Sequence, residues 1–167
     1  MGTRLLPILL LLAVLGGCRS GQAFESLQEP ASGRALIYLI RPAVSPWSWR
    51  TFTVNVYRFR GHFTEDQDPP LVASIDMSNN EYRRLYLEEG YYRFELVGHS
   101  SRIIRARKDA LEFYEVYLFS RGFFYFPDLD IRETTGKRAL AEMAGRYPMF
   151  EYEKPIYCCS NGSESDP

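Results

Sequence analysis

The chain has 167 residues, 46% of them hydrophobic and 15% aromatic, with 20 Lys and Arg against 21 Asp and Glu. That length is one domain's worth, and the apolar content is ample for a core, which excludes long disorder except at the ends. Charge so close to balance speaks against a dedicated nucleic-acid binder, which would carry a strong basic excess.

The first element is a greasy run. Arg4 supplies a small positive start, Leu5 to Leu15 are apolar, and Gly16-Gly17-Cys18 precede polar sequence from Arg19. The run is too short to span a bilayer, which takes about 20 apolar residues. Its n-region, h-region and small-residue end follow the layout of an export signal, and with the cysteine the pattern resembles the lipobox of bacterial lipoprotein precursors. The resemblance implies that residues 1–17 are removed as a signal peptide. It also implies that Cys18 receives a diacylglyceryl thioether, becomes the new N-terminus and is then N-acylated. Two or more acyl chains hold a protein on a membrane stably, at about 0.8 kcal/mol per buried CH₂. Arg19 stands where inner-membrane retention uses Asp, which implies the outer membrane, with the domain in the periplasm. Other readings fit less well. N-myristoylation wants Ser or Thr at the sixth position, which is Leu6. An uncleaved helix would need the apolar run to continue past Gly16. An ordinary secretory signal tolerates Gly16-Gly17, and the position of Cys18 favours lipidation over it.

Residues 18–32 read as a lipidated cysteine followed by a polar tether, with only Phe24 and Leu27 as larger apolar side chains. A coil of that length would let the domain float about 20 Å from its anchor. A domain is expected over 33–147. Ala35 to Ile40 form a continuous apolar run, the pattern of a buried strand, stopped by Arg41-Pro42. Thr51 to Arg60 alternate, with Phe52, Val54 and Val56 on one face. Leu71 to Ile75 follow as a short strand. Tyr82 to Leu87 and Tyr91 to Val97 flank Glu88-Glu89-Gly90, a hairpin signal, with Tyr92, Phe94 and Leu96 facing the core. Ser101 to Arg107, Phe113 to Phe119 and Phe123 to Phe126 complete the set. Seven or eight short strands indicate a mainly β fold, a two-sheet antiparallel sandwich. One short C-terminal helix is expected, capped by Thr134 or Thr135, with Ala139, Leu140, Met143 and Ala144 at apolar spacing and Gly145 at its end. It should cover the aromatic strand 123–126 through Leu140 and Met143. Residues 148–167 read as a loose tail.

A second resemblance rests on Ala35-Leu36-Ile37-Tyr38-Leu39-Ile40-Arg41-Pro42 and Leu85-Tyr86-Leu87-Glu88-Glu89-Gly90-Tyr91-Tyr92-Arg93-Phe94 behind the lipobox. Over residues 33–122 the chain is similar to a family of small, functionally uncharacterised bacterial lipoproteins, which implies a transthyretin-like or immunoglobulin-like sandwich. The family's short Asp-Gly turn is replaced here by the longer segment 61–70.

Candidate chemistry is sparse. His62 and His99 are the only histidines; a Zn site from both with Asp66 or Asp68 competes with the plainer reading of two solvated loop residues. Glu88 and Glu89 read as turn residues before an acid–base pair. Cys158 and Cys159 are adjacent, closer than ordinary disulfide geometry allows, and read as a chance pair in the tail before a reactive dithiol. No catalytic residues, metal or cofactor are expected. Two binding features remain. Trp47 and Trp49 share a loop and suit stacking on a glycan ring. Arg102, Arg105 and Arg107, with Lys108, surround Ile103 and Ile104, and would adjoin Arg83-Arg84 if their strands were neighbours. Such a basic edge suits lipid phosphates or an acidic partner, although charge also protects sheet edges from aggregation. The expected function is that of a membrane-anchored, non-catalytic lipoprotein with a protein partner in the envelope. Glycan binding is the alternative.

Overall fold

The computed structural model describes residues 21–43, 48–119 and 128–158. Cys18, Trp47, the aromatic stretch 123–126 and Cys159 lie outside them. Two sheets form. The larger has seven strands, in the order β1 (Gln22–Ala23), β10 (Phe150–Glu151), β5 (Glu81–Glu88), β2 (Arg34–Arg41), β8 (Leu111–Phe119) and β9 (Asp128–Glu133), with β11 (Ile156–Cys158) also on β5. The smaller has four, in the order β4 (Leu71–Met77), β3 (Phe52–Arg58), β6 (Gly90–Leu96) and β7 (Ser101–Ala106). The protein is therefore a mainly β sandwich, with more strands than its alternating patterns announce. Most pairs are antiparallel, but β2 runs parallel to β8, and β10 and β11 run parallel to β5.

Side-chain alternation builds the core. Ala35, Ile37 and Leu39 on β2 pack between the sheets against Val54, Val56, Ile75, Leu85, Tyr92, Phe94 and Ile104. The intervening Leu36, Tyr38 and Ile40 turn outward, where they meet Tyr82, Tyr86 and Phe113 in a second apolar cluster. A strand buried on both faces reads as an unbroken apolar run, and that is why 35–40 show no polar interruption. Phe24, Ala139, Met143 and Met149 close over the outer cluster.

Several expectations are corrected. Glu88-Glu89-Gly90 is not a hairpin turn: β5 pairs with β2, β6 pairs with β3 and β7, and the chain crosses there from one sheet to the other. The tether reading fails from residue 21 onward. Gln22 pairs with Glu151, Phe24 donates its N–H to the Met149 carbonyl at 2.8 Å, and its buried ring meets Tyr82 edge-on at 5.6 Å. The loose-tail reading fails for 148–158, because Phe150 and Ile156–Cys158 add to β5 and Met149 is fully buried. Phe24, Met149 and Tyr157 cover the apolar outer face of the large sheet, while Ile156 packs on the core between the sheets.

The helix α1 (Gly136–Met143) forms as expected, with the Thr135 hydroxyl accepting from the Arg138 N–H. It buries Ala139 and Met143 on that outer face beside Phe113, whereas Leu140 is 37% exposed. At 1.5 Å rise and 100° per residue, 139 and 143 share a stripe and 140 lies off it.

Candidate functional site

β7 is an edge strand; among the described residues only β6 pairs with it. Ile104 and Ala106 point into the core, while Ile103 and Arg105 point out. Between this edge and the nearby β8 and β9 lies an open cleft of about 300 Å³. Arg102, Arg105 and Arg107 contribute the cations that line it, and Glu112, Tyr114 and Glu133 its other polar wall. The sequence cluster is thus a spatial one. Lys108 is exposed just beyond it, and Arg83 and Arg84 are not part of it. They lie on β5, where Arg83 contacts Glu153 at 2.6 Å and Arg84 contacts Glu151 at 2.5 Å.

Arg107 is held in place, its Nε and Nη2 both 3.1 Å from the buried Glu112 carboxylate. The Tyr114 hydroxyl donates to the other Glu112 oxygen at 3.2 Å. Burial first, and then the Glu112 charge, push the Tyr114 phenol well above its ordinary value, so it stays a protonated donor. The Arg102 guanidinium lies 3.5 Å from the Ile131 carbonyl, and Arg105 stands over the Tyr91 ring at 5.8 Å. The three arginines outnumber Glu112 and Glu133, and guanidinium forks suit carboxylate or phosphate groups.

No family model, curated protein or solved structure matches the chain. The cleft must speak for itself. It holds binding groups, and Glu112 is spent on Arg107 and Tyr114.

The other candidates separate. Trp49 is 77% exposed, with the Arg50 guanidinium 5.6 Å from its ring. His62 contacts Thr64 at 2.7 Å and packs on Tyr91 at the start of β6. His99 follows the end of β6 and contacts Asp128 at 2.8 Å. The two histidines therefore stand at opposite ends of one strand. Among the described residues no group of three His, Cys, Asp or Glu is placed to hold a metal ion. The sequence reading missed Glu112, Tyr114 and Glu133 as cleft walls. A carboxylate inside the apolar run of β8 was the available signal, since buried acids need partners.

Proposed function

We propose that the protein is a lipoprotein held on the outer membrane through Cys18, whose sandwich is a non-catalytic protein-contact module of the cell envelope. The N-terminal pattern supports the anchor. The observation that carries the contact role is the cleft along β7, where Arg102, Arg105 and Arg107 line an edge strand at an open gap between the sheets. A strand edge that is unpaired among the described residues offers backbone groups, and the arginines select an acidic partner. Crosslinking from Ile103 in native cells tests this. A discrete crosslinked protein is expected, lost in Arg102→Glu/Arg105→Glu and retained in Trp49→Ala. Mass spectrometry should find acylated Cys18 as the mature N-terminus; a Cys18→Ser form that stays fully membrane-bound defeats the anchor.

A glycan-binding reading has one specific support, the exposed Trp49 ring. Peptidoglycan pull-down that is lost on replacing Trp47 and Trp49, with the arginine variants unaffected, would favour it instead.

A further inference from the structure

Between Cys18 and the first described residue, Gly21, there are three peptide steps. Fully extended, they span at most about 11 Å. Gly21 itself is fixed. It packs so closely on Tyr152 that a Cβ there would lie 2.6 Å from the ring, and Gln22 and Ala23 are paired in register with Glu151 and Phe150. Downstream, Phe24 is buried and the Gln28 N–H donates to the Tyr38 hydroxyl at 2.8 Å, so no slack lies between Gly21 and the domain.

From this geometry we infer that the β1–β10–β11 edge of the larger sheet lies flat in the headgroup layer of the membrane that holds Cys18. The inference rests on the lipid anchor proposed above. A diacylglyceryl thioether places its cysteine at the interface, and the headgroup layer is itself about 6 Å thick. A reach of about 11 Å therefore leaves Gly21 in that layer or at its rim. The side chains at this edge suit the position. Tyr152 stacks with Phe150 at 6.0 Å. Tyr157, 55% exposed, lies on Tyr86 at 4.6 Å with Arg34 5.7 Å from its ring. Lys154 is exposed between them in sequence. Tyrosine rings partition to the membrane interface, and Arg and Lys there meet lipid phosphates. The occupant is thus the lipid surface itself. The consequence reaches the other edge: β7 packs near β9, the strand farthest from β1 in the sheet order, so the arginine cleft faces away from the bilayer.

The test uses the full lipidated chain, purified from bacterial membranes and reconstituted in vesicles of phosphatidylethanolamine and phosphatidylglycerol that contain a headgroup-spin-labelled lipid. On a Trp47→Phe/Trp49→Phe background, a single reporter is placed by Tyr152→Trp, Lys154→Trp or Ile103→Trp. Both edge reporters should be quenched several-fold more strongly than the one on β7. Equal quenching at all three positions, with acylated Cys18 confirmed by mass, overturns the docked orientation and leaves the lipoprotein reading standing. A mature chain without acyl groups on Cys18 overturns both.

Discussion

Glu151 lies on β10 with its side chain 3% exposed and reaches across to β5, where its two oxygens accept from the Arg84 backbone N–H at 3.0 Å and from Arg84 Nε at 2.8 Å. Burial alone would lower the Arg84 guanidinium, but the hydrogen bond and charge of Glu151 outweigh it and raise the value. Removing one member of such a pair leaves a partly buried cation and an orphaned backbone donor. Glu151→Ala should therefore cost about 2–4 kcal/mol in urea unfolding, short of a fully buried pair because Arg84 keeps some contact with water. Glu151→Gln keeps the oxygen that serves the backbone and should cost clearly less. Equal losses in the two variants would mean that the charge, not the hydrogen bonds, carries the contact. Glu115 works in the same way across the sheet, meeting Arg132 at 3.1 Å and Arg138 of α1 at 3.4 Å.

At the scale of the element, β11 is three residues long, and its stability comes from what it covers. Ile156 packs on the inter-sheet core and Tyr157 lies on Tyr86. A chain cut after Cys158 should melt like the parent. One cut after Pro155 should lose about 2 kcal/mol, the worth of a partly buried Ile with its ladder bonds. Identical melting of the two chains would show that β11 contributes nothing. A cut after Thr135 strips α1 and Met149 from the outer face and should leave a chain that aggregates. The long strands were legible because alternation reports one buried face and an unbroken apolar run reports two, which is how 35–40 and 52–56 declared themselves. β9 was not: only Leu129 and Ile131 are apolar in it, set among Asp128, Asp130 and Arg132, too few for a period to register. β1, β10 and β11 are shorter than any period. Nor could Glu88-Glu89-Gly90 say whether its strands pair, because a corner between sheets and a hairpin need the same local residues. Burial distinguishes them, since Tyr82, Leu85, Tyr86 and Leu87 bury both faces of β5 and β6 buries one. The Arg102, Arg105 and Arg107 cluster was legible because it lies on and just beyond one strand. Its acidic wall on β8 and β9 was hidden, because nothing in the sequence says that β7 packs near those strands.

For the whole molecule, the buried tyrosines make stability depend on alkaline pH. Burial raises Tyr38, Tyr86 and Tyr114 above the ordinary phenol value of 10.0, and burial followed by the Glu151 charge pushes Tyr82 up to about 12. Each is neutral when protonated, so the folded chain holds its proton where the unfolded chain has released it. Their contribution is complete below pH 10 and is lost as pH rises through the folded values. For Tyr82 the rise to about 12 makes this loss on the order of 2 kcal/mol, complete once pH exceeds 12. Arg41 acts with the opposite sign. Burial lowers its guanidinium to about 10, so the penalty for carrying that buried charge is full below this value and is relieved above it. Four groups against one decide the direction. The melting temperature should hold up to pH 9 and fall between pH 10 and 12, with the near-ultraviolet tyrosinate signal of these rings appearing together with unfolding. Tyr82→Phe should match the parent below pH 9 and fall less steeply between pH 10 and 12, because it has no buried phenol to ionise. If the buried rings ionise near pH 10 while the fold persists, water already reaches the outer cluster, and the cover formed by Phe24, Met143 and Met149 is not closed in solution.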